Sequence, residues 1–543
     1  MSWLARQAGL RPGAPAVRAG ENTFSYAELA EKAARGAAAL AAAGVAPGDS
    51  AAVRLPNTWE HVVALHAVAW RGAVLVPIHP RSAPAEVAGL TEDSGACLLI
   101  ASADDPVSGV DLPCPVLPVD RLADEASGTP GPSPAPPPGW ACEPALQPDD
   151  ALHSILHTTG TTGRPRPVPL THGNHRASAE ASAANLGVDP DDDWLCPLPL
   201  AHAGGLAVVL RSVLYGTCVT LVEGFDPEEV ASLLRSGAVT HASLVPTMLR
   251  RLVALPPAPG GDPFGSRRSL RAGSPRPDTE PKADLGSSRL RAVLVGGGPL
   301  DPELAERALA RGLPVLGTYG LTETASQVAT VPPGEAGRKP GSAGPPLPGV
   351  EIEFRDATGH VLGPGETGEI HVRGPMVSAA ATGARSASGG RPATAAGRLD
   401  SGGWLASGDL GRLDSDGWLA TGDLGRLDAD GWLWVAGRLD DLIVTGGENV
   451  AAAEVEAVLR AHPAVADCAV VGLPDPEWGR LVAAAVVPRG PEAPPAADAL
   501  AAWCRERLAP FKVPKRWRIV DELPRTAAGK VARPELRGLF EEP

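Results

Sequence analysis

Short, nearly unbroken apolar runs, separated by stretches with helical spacing, constrain this chain more than any other feature. They fall at residues 50–55, 73–77 and 96–101, and again at 218–222, 241–245 and 291–295. Runs of that length without polar alternation suit strands buried on both faces, and strand alternating with helix predicts parallel sheets covered by helices, an α/β fold. Residues 24–45 predict one such helix: Ser25 can cap it, Glu28 completes a capping box, and Gly44 ends it. With 543 residues the chain exceeds one ordinary core, so two or more domains are expected. That core has to be assembled from Ala, Val and Leu, because the whole chain holds only six Phe, three Tyr and three Met.

Charge and cysteine usage exclude several classes of function. A formal net charge of -15, from 48 Lys+Arg against 63 Asp+Glu, leaves no basic footprint for nucleic acid or an anionic membrane. The most apolar windows, 37–43 and 62–78, are alanine-rich or broken by His66 and Arg71. Both fall short of the roughly 18 uninterrupted apolar residues of a spanning helix, so no membrane insertion is expected. Residues 1–10 show no secretory signal pattern, and seven cysteines are scattered singly without CxxC. Reduced thiols, a cytoplasmic location and no structural metal are the expectation.

Three stretches read as linkers or insertions: 127–139, 256–288 and 378–397, all rich in Pro, Gly, Ser or Arg. Beside the last lies a short repeat. Residues 397–410 (GRLDSGGWLASGDL) and 411–424 (GRLDSDGWLATGDL) differ at two positions, and 425–433 starts a third copy. Its DSDG and DADG segments predict hairpin turns between short strands. A calcium loop would need a longer ligand series ending in glutamate.

The densest cluster of small polar residues is 157–166, HTTGTTGRPR, directly after the apolar run 152–156. Gly160 and Gly163 let backbone amides approach an anion. The hydroxyls of Thr158, Thr159, Thr161 and Thr162 add donors, and Arg166 can neutralise phosphate charge. A polar turn after a strand has the same composition, and the GxxxxGK[ST] pattern of a Walker loop is absent.

This run resembles the phosphate loop of the adenylate-forming superfamily of acyl-CoA synthetases, adenylation domains and luciferases, with Arg166 where the family has lysine. Further motifs of that superfamily follow in order: Gly296-Gly297-Gly298 after the apolar run 292–295, then 318–324 (TYGLTET), 421–423 (TGD), 445–449 (TGGEN) and 524–530 (PRTAAGK). The resemblance implies a large N-terminal domain of parallel sheets covered by helices plus a distorted β-barrel, residues 1–437. A hinge at 438–441, around Asp440, and a small mobile α+β domain at 442–543 would complete the chain. ATP, Mg²⁺ and coenzyme A are the implied ligands. Gly296–Gly298 would let adenine lie close, Tyr319 stack near it, Thr322 bind the AMP phosphate and Glu323 hold Mg²⁺. Asp423 would hold the ribose hydroxyls together with Arg438, fifteen positions on. Asp409, in the upstream copy of the repeat, is the out-of-register duplicate. Gly446 and Gly447 would meet the pantetheine arm, and Lys530 would be the catalytic lysine. For a lone TxYGxTE, a helix start capped by Thr322 is the competing account.

Within the superfamily the likeness is greatest to the o-succinylbenzoate–CoA ligases of menaquinone synthesis, carried by residues 3–4, 197–206, 211–216, 324–327 and 341–344. That likeness implies an ATP-dependent acid–thiol ligase acting on a small carboxylic acid. His202 would line the acyl pocket, against a buried structural histidine as the alternative, and Ser326 would help bind an aromatic acid. A general fatty- or aryl-acid ligase, an amino-acid adenylation enzyme and a non-catalytic nucleotide-binding protein remain as alternatives. The segment 201–204 lacks the aspartate that amino-acid adenylation modules usually offer to a substrate amine.

Overall fold

The computed structural model describes residues 2–109, 111–123, 143–159, 165–256, 289–378, 416–439, 442–445, 448–475, 478–490, 495–508, 510–525 and 531–540. The chain divides into two compact units, one of Met1–Glu351 with Val372–Leu419, the other of Ile352–His371 with Ala420–Pro543. Among the described residues no helix is long and apolar enough to cross a membrane.

The first unit is built on two sheets. The larger has eight strands in the order Ser326–Thr330, Val315–Leu321, Ala292–Val295, His241–Leu244, Asp193–Cys196, Cys218–Leu221, Pro15–Ala19 and Asn22–Ser25. Its inner pairings are parallel and each edge strand is antiparallel to its neighbour. The second sheet runs Val116–Pro118, Ala96–Ala101, Ser50–Arg54, Val74–Pro77, Leu152–Thr159 and Pro165–Thr171. Strands Ser50–Arg54, Val74–Pro77, Cys218–Leu221 and Ala292–Val295 are buried at every position. Burial on both faces is why their sequences are apolar runs rather than alternating ones. The expected α/β architecture is therefore present, on strands whose places the apolar runs marked.

The first long helix spans Tyr26–Ala42 and carries the capping box: Glu28 N–H donates to Ser25 Oγ at 3.3 Å, and Ser25 N–H donates to Glu28 Oε2 at 2.8 Å. It starts later than residue 24 because Asn22–Ser25 first pairs as an edge strand against Pro15–Ala19. A Cβ on Gly36 would stand 2.8 Å from Ala67 Cβ, so glycine there lets this helix close onto helix Trp59–Arg71. Small residues at the contact replace the aromatic filling that the composition withholds.

Where a distorted barrel was expected, the described residues form a four-stranded sheet in the order Glu351–Arg355, Gly368–Arg373, Leu419–Leu427, Leu433–Arg438. The second unit also holds a five-stranded sheet of Glu448–Ala451, Leu442–Thr445, Gly479–Pro488 and Val465–Asp475, with Arg516–Ile519 parallel to Gly479–Pro488. Alternation along Val465–Asp475 serves two cores. Cys468 and Val470 join a cluster with helices Ala452–Arg460 and Ala497–Arg505, while Ala469, Val471 and Leu473 pack with Leu536 and Phe540.

Candidate active site

The 157–166 motif closes an antiparallel hairpin. Strands Leu152–Thr159 and Pro165–Thr171 pair so that Thr158 faces Arg166 and Thr159 faces Pro165. Gly160, Thr161, Thr162 and Gly163 lie between these ends, outside the described residues. The second strand carries Pro165, Pro167 and Pro169, which its place at the sheet edge allows. Below the hairpin sits a cluster of histidines. His153 lies 4.8 Å, centroid to centroid, from both His172 and His175, and Trp3 stacks on His153 at 5.5 Å. Ser154 Oγ is 2.9 Å from His175 Nε2. Burial pushes the His172 imidazole down to about 4 and His175 to about 3.

Gly296 and Gly297 are demanded by the backbone. A Cβ at Gly296 would approach Thr318 Cγ2 to 2.8 Å, and Gly297 has φ +75°. Gly298 has open surroundings, its nearest neighbour being Pro246 Cγ at 3.9 Å. The triplet thus leaves bare, exposed backbone at Gly297 and Gly298.

Strand Val315–Leu321 ends in a single 3₁₀ turn, Thr322–Thr324, after which Ala325 and Ser326 take φ of 52° and 124°. Positive φ on two successive non-glycine residues is strain that the surroundings must hold. They do so from several sides. A Cβ on Gly320 would lie 1.6 Å from Ser326 O. Ser178 Oγ donates to Ala325 O at 3.2 Å, and Ser378 N–H donates to Glu323 O at 2.7 Å. The turn is capped by the buried Thr324, whose Oγ1 accepts Leu321 N–H at 3.1 Å. Capping therefore falls to Thr324, not to Thr322 as the competing account required. The Thr322 hydroxyl has no hydrogen-bond partner among the described residues, and Thr322 and Glu323 are both partly exposed. Tyr319, 9% exposed, belongs to the same strand. The Glu323 carboxylate, a hard oxygen donor that keeps access to solvent, fits a Mg²⁺ ligand.

His202 precedes helix Ala203–Tyr215 and is exposed, its ring 5.5 Å from that of His79. A buried structural histidine is thereby ruled out. The loop before it is held by Asn57, whose Nδ2 donates to Leu198 O at 2.7 Å and whose Oδ1 accepts Leu200 N–H at 3.2 Å. Neither His79 nor Asn57 carried a sequence signal, since their roles depend on pairings across more than a hundred residues. Arg211 likewise gave no sequence signal: the residue is 3% exposed, and its guanidinium donates at 3.1 Å to Ser178 Oγ, the hydroxyl that holds Ala325 O.

In the second unit, Asp423 and Arg438 face each other across a hairpin. Their Cα atoms are register partners, and Arg438 Nη1 is 3.1 Å from Asp423 Oδ1. The spacing of fifteen has a geometric cause. Leu427 pairs with Leu433, and without the bulge between Leu424 and Gly425 the partner of Asp423 would be Gly437. One inserted position moves Arg438 opposite Asp423. A Cβ on Gly425 would meet Trp434 O at 2.6 Å, so the bulge needs glycine. Thr421 Oγ1, donating to Ile370 O at 2.8 Å, also accepts Asp423 N–H at 3.1 Å and fixes the approach. The DADG segment is a hairpin turn, as expected: Asp428 Oδ1 accepts the N–H groups of Asp430 and Trp432, and Gly431 has φ +77°. Asp409 lies outside the described residues.

Thr445 pairs with Glu448 in the hairpin Leu442–Thr445/Glu448–Ala451. Gly446 and Gly447, Asp440 and Lys530 lie outside the described residues. Arg525 and Val531, which flank the Lys530 segment, face each other in an antiparallel bridge.

The AMP-binding enzyme family matches residues 4–380, and the AMP-binding enzyme C-terminal domain matches residues 454–530. A 2-succinylbenzoate–CoA ligase of Geobacillus kaustophilus is 39% identical over 542 residues, covering 99% of this chain and 98% of its own. Among solved structures, the o-succinylbenzoate CoA synthetase of Bacillus subtilis in complex with the acyl-adenylate intermediate OSB-AMP has a TM-score of 0.81 at 34% identity, covering 99% of this chain and 98% of that one. The same protein in complex with ATP and magnesium ion has a TM-score of 0.78 at 34% identity, covering 99% of each chain.

Proposed function

Since the chain belongs to the AMP-binding enzyme family, we propose that it joins 2-succinylbenzoate to coenzyme A, using ATP and passing through an acyl-adenylate. The observation that carries this reading is the 39% identity to a 2-succinylbenzoate–CoA ligase along 99% of the chain. The Asp423–Arg438 pairing supports it, because a buried carboxylate held by a cation suits the two hydroxyls of a ribose.

A carboxylate is a poor acyl donor because oxide is a poor leaving group. In the first step a carboxylate oxygen attacks the α-phosphorus of ATP, the bond to the bridging oxygen breaks, and pyrophosphate leaves. Both reactants are anionic, so cations are needed where charge builds. Arg166 and Lys530 supply them, Lys530 at the carboxylate and bridging oxygens. Thr158, Thr159, Gly160, Thr161, Thr162 and Gly163 hold the departing phosphates, and the Thr322 hydroxyl takes the α-phosphate. Glu323 would hold Mg²⁺, which when bound neutralises phosphate charge. Gly296–Gly298 and Tyr319 accommodate adenine, and Asp423 and Arg438 the ribose. In the second step the sulfur of coenzyme A attacks the acyl carbon, the carbon–oxygen bond to AMP breaks, and the thiol proton passes to solvent. Gly446 and Gly447 admit the pantetheine arm, and His202 lines the acyl pocket. Residues 438–441 serve as the hinge between a domain of 1–437 and one of 442–543, and the enzyme works in the cytoplasm.

AMP release with 2-succinylbenzoate, benzoates, fatty acids and amino acids, each with and without coenzyme A, tests this directly. Turnover that needs both 2-succinylbenzoate and coenzyme A is the expected result. Preference for fatty or simple aryl acids would replace the substrate, turnover of amino acids the class, and no AMP from any acid would leave a nucleotide-binding protein without catalysis.

A further inference from the structure

The strained turn at 322–326 is held by a series of buried polar contacts that begins on helix His172–Leu186. Asn174 lies in the first turn of that helix and is 7% exposed. Its Oδ1 accepts both the N–H and the hydroxyl of Thr171, each at 3.0 Å, which completes the helix cap. Its Nδ2 donates to Pro375 O and to Val377 O, also at 3.0 Å. Every hydrogen bond open to an amide is therefore made, and the group has one orientation: turned over, its oxygen would face two carbonyls.

The residue after Val377 carries the contact to the turn. Ser378 is fully buried, donates its N–H to Glu323 O at 2.7 Å and donates its hydroxyl to Pro169 O at 2.6 Å. Pro169 belongs to the edge strand of the six-stranded sheet, whereas strand Val315–Leu321, which leads into the turn, belongs to the eight-stranded one. One short segment, 375–378, thus joins elements of both sheets beside Glu323. Four residues on from Asn174, on the same side of the helix, Ser178 donates to Ala325 O at 3.2 Å. The Arg211 guanidinium, which can only donate, reaches the same serine oxygen at 3.1 Å and so leaves the serine hydrogen for that carbonyl. The carbonyls on either side of Thr324 are fixed from one helix, the first by way of Ser378 and the second directly.

We propose that Asn174 is a positioning residue for the Mg²⁺ of the bound nucleotide, setting the main chain of Glu323 through the segment 375–378. This rests on the reading of Glu323 as the Mg²⁺ ligand. A partly exposed carboxylate takes its direction from its main chain, and here that chain is held at the residue's own carbonyl. Groups standing behind a metal ligand typically matter about 10- to 100-fold in metal affinity. Nucleotide bound without the metal does not use the carboxylate and should be indifferent to the bracket.

The test measures ATP binding to the full chain by titration calorimetry, once with Mg²⁺ and once with a chelator in its place. Asn174→Ala, which removes both donors without adding charge, should weaken binding about 10-fold with Mg²⁺ and stay within about twofold of the parent without it. Glu323→Gln should show the same split, and adding Asn174→Ala to it should cause no further loss, because the carboxylate to be placed is gone. Equal losses with and without Mg²⁺, or additive losses in the double variant, overturn the proposal, since a purely structural role would weaken both forms alike. Should Asn174→Ala not fold, Ser378→Ala decides, at the cost of one hydroxyl: a loss of about threefold confined to the Mg²⁺ form is expected, and no loss or an equal loss in both forms overturns the proposal. Parent-like binding of ATP with Mg²⁺ by Glu323→Gln would overturn the reading of Glu323 itself, a separate failure.

Discussion

The strained turn around Thr322 and the hairpin around Asp423 hold candidate site residues by opposite means. At 320–326 the backbone is forced: Gly320 has no room for a Cβ, and two non-glycine residues sit at positive φ. At 421–438 nothing of that kind occurs at the functional pair itself; a bulge and a glycine set the register, and the two side chains meet as ordinary cross-strand partners. The first arrangement makes the site inseparable from the fold, and the second lets the site residues change while the hairpin stands.

That contrast can be broken most forcefully at Gly320. Gly320→Ala should destabilise by about 3 kcal/mol or more, because the clash is with backbone that cannot swing aside. Denaturant unfolding that shifts by less than about 1 kcal/mol would show the turn to be adaptable. Acid sharpens the same contrast between units. Burial depresses His61, His66, His157 and His172 to about 4 and His175 to about 3, all in the first unit. The unfolded chain, with histidines near about 6.5, binds more protons between that pH and about 4. Stability contributed by the neutral rings is therefore full above about 6.5 and falls as pH drops toward 4. Proteolysis across that window should cut the first unit before the second.

A smaller effect is expected at the hairpin. Asp423→Ala should raise the ATP KM about 100-fold, since the carboxylate would make charge-assisted hydrogen bonds to two hydroxyls, while the melting temperature moves little. Asp409→Ala should leave KM within about twofold, and the reverse result would mean that the other copy of the repeat is in register. Smallest in stability is Thr322→Val, expected to fall within about 0.5 kcal/mol of the parent while adenylation drops about 10-fold. Its neighbour Thr324→Val should lose about 1–3 kcal/mol by stripping the cap from the half-buried Leu321 amide. Equal effects of the two threonine changes would erase the distinction between cap and ligand.

Much of this was readable in the sequence. The fully buried strands announced themselves as apolar runs, and the capping box at Ser25 and Glu28 is local chemistry that needs no tertiary context. Asp423 was preferred to Asp409 because its spacing of fifteen to Arg438 matches the family pattern, and the bulged hairpin gives that spacing its geometry. Strand Pro165–Thr171 was less legible, because three prolines in seven residues argue against a strand unless its place at an edge is known. The cap at Thr324 was hidden as well, since 322–324 (TET) offers two threonines and only the folded turn decides between them. The clasp of Asn57 on Leu198 and Leu200, and the contact of Arg211 with Ser178, join distant segments and leave no periodic trace.

The prolines of the edge strand have a further consequence. Pro165, Pro167 and Pro169 share one parity, while the residues between them turn their amides toward the partner strand. That edge therefore carries no N–H groups at these positions, and Pro169 O already accepts the Ser378 hydroxyl at 2.6 Å, so a foreign strand arriving there finds no donors to register against. A sheet that ends in such an edge resists growth into aggregates along it.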